Sequence, residues 1–279
     1  MINKPVCRIS PDWSAVCSPL LFVRRPCCPV TSNGVYLPDS RISCMTDEPT
    51  VELYNSLAEQ VAVVTGATRG IGAAIAAELT DLGATVYAGA RDTDDITAAD
   101  QRALQLDVTE DREIAAALDR VEREAGRLDV VVNNAGIFPR ESSLHELETA
   151  AYDRTMAVNL RGPTLVTKHA LPLLLDRAGG RVVNVSSNLG RQATLGSSYP
   201  PYRISKIGLG GLTQYLHAEY ADDGLIANAV SPGWVRTDMG GPEATRSPSE
   251  GADTPVWLAR FRPDSSGGLF WKDRSVQSW

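Results

Sequence analysis

The sequence predicts one α/β domain built as a doubly wound parallel sheet with helices on both faces. Three observations predict it. From residue 61 onward, short apolar runs alternate with stretches of helical periodicity. The apolar runs are near-continuous Val, Ile, Leu and Ala, the pattern of strands buried on both faces. No internal repeat appears, and 279 residues leave no room for a second domain.

The elements follow in order. Residues 61–64 (Val-Ala-Val-Val) form the first strand, which ends at Thr65-Gly66. Residues 70–82 form a helix because Ile71, Ala74, Ile75 and Leu79 recur at helical spacing, and Gly83 stops it. Strands are predicted at 84–90 and 103–108, a helix at 111–125, and a strand at 128–132 running into Asn133-Asn134-Ala135-Gly136. One long helix covers 145–175, with Pro163 as its kink point. A strand at 181–187, a helix at 202–221 and a strand at 225–230 complete the pattern.

Residues 1–44 read differently. They mix Pro, Cys, Arg and Ser without periodicity, and hold all five cysteines of the chain: Cys7, Cys17, Cys27, Cys28 and Cys44. Their basic Arg24-Arg25 pair follows the apolar patch 20–23, the reverse of a secretory signal. No C-x-x-C pair is present, so a zinc site is not expected, and no metal is expected elsewhere. These residues are expected to be a disordered extension or a start assigned too early, with Met45 opening a single domain over 45–279. That domain has no cysteine, which suits a reducing cytoplasm. Its acidic balance, within a chain of net charge −7, argues against nucleic acid as a partner. No apolar run approaches the ~20 residues a membrane span needs.

Between the first strand and helix lies Thr65-Gly66-Ala67-Thr68-Arg69-Gly70-Ile71-Gly72. Glycines here permit a tight turn and let the backbone approach a pyrophosphate at a helix N-terminus. The motif places Gly66, Thr68, Arg69, Gly70, Ile71 and Gly72 against a dinucleotide, in a Rossmann-type arrangement. An NAD enzyme usually offers a carboxylate to the ribose at the end of the second strand. Here Ala90 stands 18 residues beyond Gly72, followed by Arg91. Arg91 and Arg69 favour a 2′-phosphate, hence NADPH over NADH. Asp92 is the complication: its carboxylate aimed at the ribose would admit NAD.

Tyr202 and Lys206 stand four residues apart and share a helix face. A phenol ordinarily titrates near ~10, and a neighbouring ammonium stabilises its phenolate. Such a pair suits proton exchange with a substrate oxygen. Tyr199 is the rival base, but it precedes Pro200-Pro201, which disfavours helix, and has no Lys four residues on.

Taken in order, the glycine turn, Asn133 to Gly136, Asn159, Ser186-Ser187 and Tyr202/Lys206 resemble the short-chain dehydrogenase/reductase (SDR) family over roughly residues 60–240. The resemblance implies that Tyr202 is the acid/base and that Lys206 lowers its pKa while bonding the nicotinamide ribose. It implies that Ser187 polarises the substrate oxygen, in preference to Ser186, and that Asn159 positions a water in a proton relay. By the same resemblance Asp107, Val108, Asn133, Ala135 and Gly136 surround adenosine, and Pro232, Gly233 and Thr237 close over the nicotinamide. Trp234 and Tyr199 are expected to border the substrate. The tail from Gly240 through Phe270 looks like the carbonyl-reductase-like branch. The long insertion that monomeric members of that branch carry between Ser and Tyr is absent, the gap here being 15 residues, which implies a homo-oligomer.

The expected activity is NADPH-dependent reduction of a ketone, aldehyde or quinone to an alcohol, or the reverse. The alternatives are an NAD-dependent alcohol dehydrogenase and a non-catalytic NADPH sensor on the same fold. A serine hydrolase is disfavoured, because neither Ser186 nor Ser187 sits in a G-x-S-x-G elbow.

Overall fold

β1 (Val61–Thr65) is buried along its whole length, and the sheet grows outward from it. The computed structural model describes residues 48–140 and 143–279, so the expectation for residues 1–44, and Met45 itself, lie outside the described residues. On one side of β1 lie β2 (Thr85–Ala90) and β3 (Arg102–Gln105). On the other lie β4 (Val130–Asn133), β5 (Arg181–Val185), β6 (Ile226–Val230), β7 (Phe270–Lys272) and β8 (Ser275–Gln277). The sheet order is β3-β2-β1-β4-β5-β6-β7-β8. All neighbours pair in parallel except β8, which is antiparallel to β7. The order reverses between β1 and β4, where Ala62 pairs with Val130, and a crevice opens there beyond the strand C-termini.

Among the described residues, six α-helices cover the sheet: α1 (Gly70–Asp81), α2 (Asp111–Ala125), α3 (Thr149–Met156), α4 (Gly162–Leu175), α5 (Pro200–Tyr220) and α6 (Pro248–Ala259). Alternation along β1 separates two cores. Ala62 and Val64 pack with Ile75 and Leu79 of α1 and Val256 and Trp257 of α6. Val61 and Val63 pack with Ile114 and Leu118 of α2 and Val166 and Leu174 of α4.

Three expectations need correction. The single helix over 145–175 is interrupted: Ala157–Arg161 forms a π turn between α3 and α4. Pro163 lies in the first turn of α4, and its missing N–H denies the Asn159 carbonyl an α-helical donor. The Pro200-Pro201 pair opens α5 instead of blocking it, because the first turn of a helix needs no N–H there. The predicted strands at 103–108 and 181–187 end at Gln105 and Val185.

Candidate active site

The crevice at the switch point is a cleft of about 1340 Å³ running from Arg91 to Lys206. Its floor is backbone. Gly66 (φ +65°) and Gly70 (φ +59°) adopt left-handed conformations that suit glycine. A Cβ at Gly72 would lie 2.1 Å from the Gly66 carbonyl oxygen, so only glycine fits. Among the described residues no side chain caps the N-terminus of α1, whose first amides point into the cleft end where an anion would sit. Thr68, Arg69 and Ile71 complete this wall. The cradle is locked to the neighbouring strand by Asn134, whose Nδ2 donates to the carbonyls of Thr65 (2.9 Å) and Gly66 (3.1 Å). The Thr65 hydroxyl in turn accepts from the amides of Asn134 and Ala135, both at 3.0 Å.

Asn133, expected beside adenosine, turns the other way. It is buried, and its Nδ2 donates to Thr167 Oγ1 (3.1 Å) and Asn184 Oδ1 (2.9 Å). Strand alternation explains this, since Asn133 shares a face with Val131 and the α4 core. Asn134, Ala135 and Gly136 line the cleft in its place.

At the end of the cleft beside β2 and β3, Asp107 and Val108 line the wall, with Asp107 Oδ1 accepting from the Thr109 amide at 2.8 Å. Arg91 is exposed at the end of β2 and borders the cleft. The Asp92 carboxylate accepts from the Asp94 amide (3.0 Å) and caps the short 3-10 turn Thr93–Asp95. Arg69 is paired with Asp238 at 2.8 Å, both side chains largely exposed. Pro232 and Thr237 face the cleft, and the Thr237 methyl packs over Gly70. Gly233 serves the turn at φ +83°, backed by Arg246.

The other end holds the chemistry-bearing side chains. Tyr202 and Lys206 are both buried on one face of α5 and border the cleft. Lys206 Nζ donates to the Val185 carbonyl at 2.7 Å and lies 5.7 Å from the centre of the Tyr202 ring. Burial lowers the Lys206 pKa from 10.5 to about 8. Burial also raises that of Tyr202, and the Ser187 hydroxyl, hydrogen-bonding the phenol oxygen, opposes this. The expected lowering by Lys206 is therefore not what the protein alone shows: desolvation is the larger effect. Ser187 caps the turn Asn188–Gly190, whereas the Ser186 hydroxyl is buried against the Lys206 carbonyl at 3.4 Å.

Asn159 sits in the π turn, fully buried. Its Oδ1 accepts from the Ile137 amide (2.8 Å), and its Nδ2 donates to the Ile137 carbonyl (2.9 Å) and to Ser205 Oγ (3.1 Å). The side chain thus clamps the loop after β4 to α5, and Gly136 packs against both Asn159 and Lys206.

Tyr199 and Trp234, expected to border the substrate, stand just outside the cleft wall. Tyr199 takes a left-handed backbone (φ +56°) and meets Phe138 in a tilted contact, ring centres 4.8 Å apart. Trp234 is 53% exposed, its indole N–H tied to the Gly240 carbonyl at 2.9 Å. Phe138, which sequence reasoning missed, is a second aromatic of the wall beside Tyr202, edge-on to it at 4.6 Å.

The short chain dehydrogenase family model matches residues 60–247. Cis-4-hydroxycyclohexanecarboxylate dehydrogenase of Sinomonas cyclohexanicum is 43% identical over 192 residues, covering 66% of this chain and 76% of that protein. Carbonyl reductase [NADPH] 1 of Mus musculus is 35% identical over 279 residues, covering 80% of this chain and all of the mouse protein. Among solved structures, the NADPH-bound carbonyl reductase from chicken fatty liver superposes with a TM-score of 0.72 at 25% identity, over 80% of this chain and 99% of that one. A short chain dehydrogenase from Burkholderia cenocepacia in complex with NADP gives a TM-score of 0.70 at 30% identity, over 78% and 97%.

Proposed function

The chain belongs to the short-chain dehydrogenase family, and from that premise we propose that it is an NADPH-dependent reductase of a small-molecule carbonyl, or runs the reverse oxidation. One observation carries the reading: Tyr202 and Lys206 border one end of a cleft, with Ser187 behind the lining and hydrogen-bonded to the Tyr202 phenol, and the other end carries Arg91 and a helix N-terminus with no side-chain cap among the described residues.

The glycine cradle, the free α1 amides and Arg91 would hold the dinucleotide, which when bound supplies or accepts a hydride at the substrate carbon. In the reductive direction the Ser187 hydroxyl holds the substrate oxygen and polarises the carbonyl. Tyr202, kept protonated by its raised pKa, donates its proton to that oxygen as the carbon is reduced. Lys206, charged at neutral pH, stabilises the phenolate left behind until solvent reprotonates it. Asn159 keeps the loop after β4 at a fixed distance from α5, so the two halves of the cleft move as one.

NADPH preference is supported by Arg91 at the cleft wall, by the capping duty of the Asp92 carboxylate, and by the NADPH-named relatives. The short Ser187–Tyr202 connection leaves a homo-oligomer as the proposed assembly, in the cytoplasm, without nucleic acid or membrane partners.

The test is a panel of ketones, aldehydes and quinones with NADPH and with NADH, for wild type and Tyr202→Phe. NADPH oxidation by wild type is expected to fall ~10²–10⁴-fold in the variant, with NADPH binding retained. Equal, near-zero rates in both chains across the panel would leave a cofactor-binding sensor instead.

A further inference from the structure

We propose that Ser278 and Trp279, the two residues after β8, are positioning residues: they strap the loop between Ser187 and Tyr202 onto α5 and so set how the two hydroxyls meet the substrate oxygen. This rests on the reading of Ser187 and Tyr202 given above.

The loop has little burial of its own, residues 192–197 all being exposed. It is therefore held by point contacts. On one side the Arg203 guanidinium donates to the carbonyls of Leu189 (3.2 Å), Ser197 (3.0 Å) and Ser198 (2.8 Å). On the other side stand Ser278 and Trp279. Arg191 donates to the Ser278 carbonyl (2.7 Å) and to its hydroxyl (2.9 Å), and the Ala193 amide donates to the Trp279 carbonyl (2.8 Å).

The Trp279 ring is itself seated. It packs on Gly210, where a Cβ would come within 2.7 Å of it, and meets the Phe270 ring at 5.6 Å. Phe270 lies under the Arg191 guanidinium, 5.7 Å from its ring centre, and is fixed in β7. Gly210 follows Tyr202 and Lys206 at the i+8 and i+4 positions, on one stripe of α5. Gly190, close behind Ser187, lies directly on Lys206, where a Cβ would reach 2.4 Å from the Lys206 Cβ. A single stripe of α5 thus carries Tyr202, the seat of the loop at Lys206, and the seat of the strap at Gly210. Loosening the strap lets the loop shift along that stripe, and Ser187 with it.

Trp279→Ala, Trp279→Phe and Ser278→Ala test this against wild type. Trp279→Ala is expected to lower kcat/KM for a carbonyl substrate about tenfold or more, as a misplacement of under an ångström does. NADPH affinity should stay at the wild-type value, because the cradle is untouched, while the unfolding midpoint falls by the packing that the Trp279 ring loses on Gly210 and Phe270. Amide hydrogen exchange at Ala193 and its neighbours should quicken, and Trp279→Phe should restore most of both losses. Unchanged exchange in Trp279→Ala and Ser278→Ala overturns the strap, as does a kcat/KM loss matched by an equal loss of NADPH affinity. Should wild type reduce no carbonyl, the Ser187–Tyr202 reading falls, and with it the positioning role.

Discussion

Lys206 offers the sharpest quantitative prediction, because its burial makes the stability of the protein a function of pH. Lys206 is 5% exposed, and its ammonium has one hydrogen-bond partner among the described residues, the Val185 carbonyl. Its pKa falls from 10.5 to about 8 on folding. Between those values the unfolded chain binds a proton that the folded chain does not, so stability rises with pH across that window. With each pKa unit worth ~1.4 kcal/mol, the rise attributable to Lys206 is about 3 kcal/mol, most of it gained between pH 8 and 10. Lys206→Met removes the titration while keeping an unbranched chain of similar length. The pH-independent cost of removing the side chain drops out of the comparison, leaving the titration of Lys206. Urea unfolding of both chains at pH 7, 8, 9 and 10 therefore isolates the effect: wild type should gain on the variant as pH rises. A gap that stays flat over this range, or narrows in the other direction, refutes the buried charge. The same titration should appear in catalysis, reductive kcat/KM declining above about pH 8 as the ammonium that stabilises the phenolate is lost.

The cofactor end of the cleft gives two further predictions. Gly72→Ala places a Cβ 2.1 Å from the Gly66 carbonyl oxygen and 2.4 Å from Asn134 Nδ2, so the cradle must spread. The variant should lose about 1–3 kcal/mol of stability and at least ~tenfold in NADPH affinity, read by unfolding and by fluorescence titration. Arg91→Glu should weaken NADPH binding by about 10–100-fold, the worth of one charge-assisted hydrogen bond, and leave NADH binding unchanged or improved. A parallel loss of both cofactors would show that Arg91 serves the fold and not the 2′-phosphate.

The parts of this molecule that could be read from the chain are those that local rules decide. The helix over Asp111–Ala125 falls where its periodicity places it, and β1, β2 and β6 sit within a residue of the apolar runs that predict them. The glycine turn was legible because a backbone approach excludes every other residue, as the contact at Gly72 shows. Asn133 belongs to the same four-residue motif as Asn134, but strand alternation turns its side chain to the opposite face of the sheet. The π turn at Asn159 could not be read, since helical periodicity tolerates a one-residue slip, and Pro163 marks only the neighbourhood of the break. The tail was harder still. α6, β7 and β8 are short or proline-bearing, and β7 is held by long-range contacts such as Trp271 Nε1 to Asn228 Oδ1 at 3.1 Å.

This division has a physical origin that also explains why the substrate is harder to read than the cofactor. The half of the cleft proposed for the dinucleotide is made of strand ends and a helix terminus, and its geometry follows once the strands are in register. The substrate half hangs on side chains brought together from distant parts of the chain. Phe138 lies between Tyr199 and Tyr202, and the loop after Ser187 depends on Arg203 from α5 and on residues 278–279 across the sheet. Tyr199 and Trp234 illustrate the consequence: both lie beside the site in sequence, and both are drawn off the wall by a partner, Phe138 in one case and Gly240 in the other. A change of loop contact there reshapes that half of the cleft without touching the buried Tyr202–Lys206 face, so the proposed chemistry can be kept while the substrate is changed.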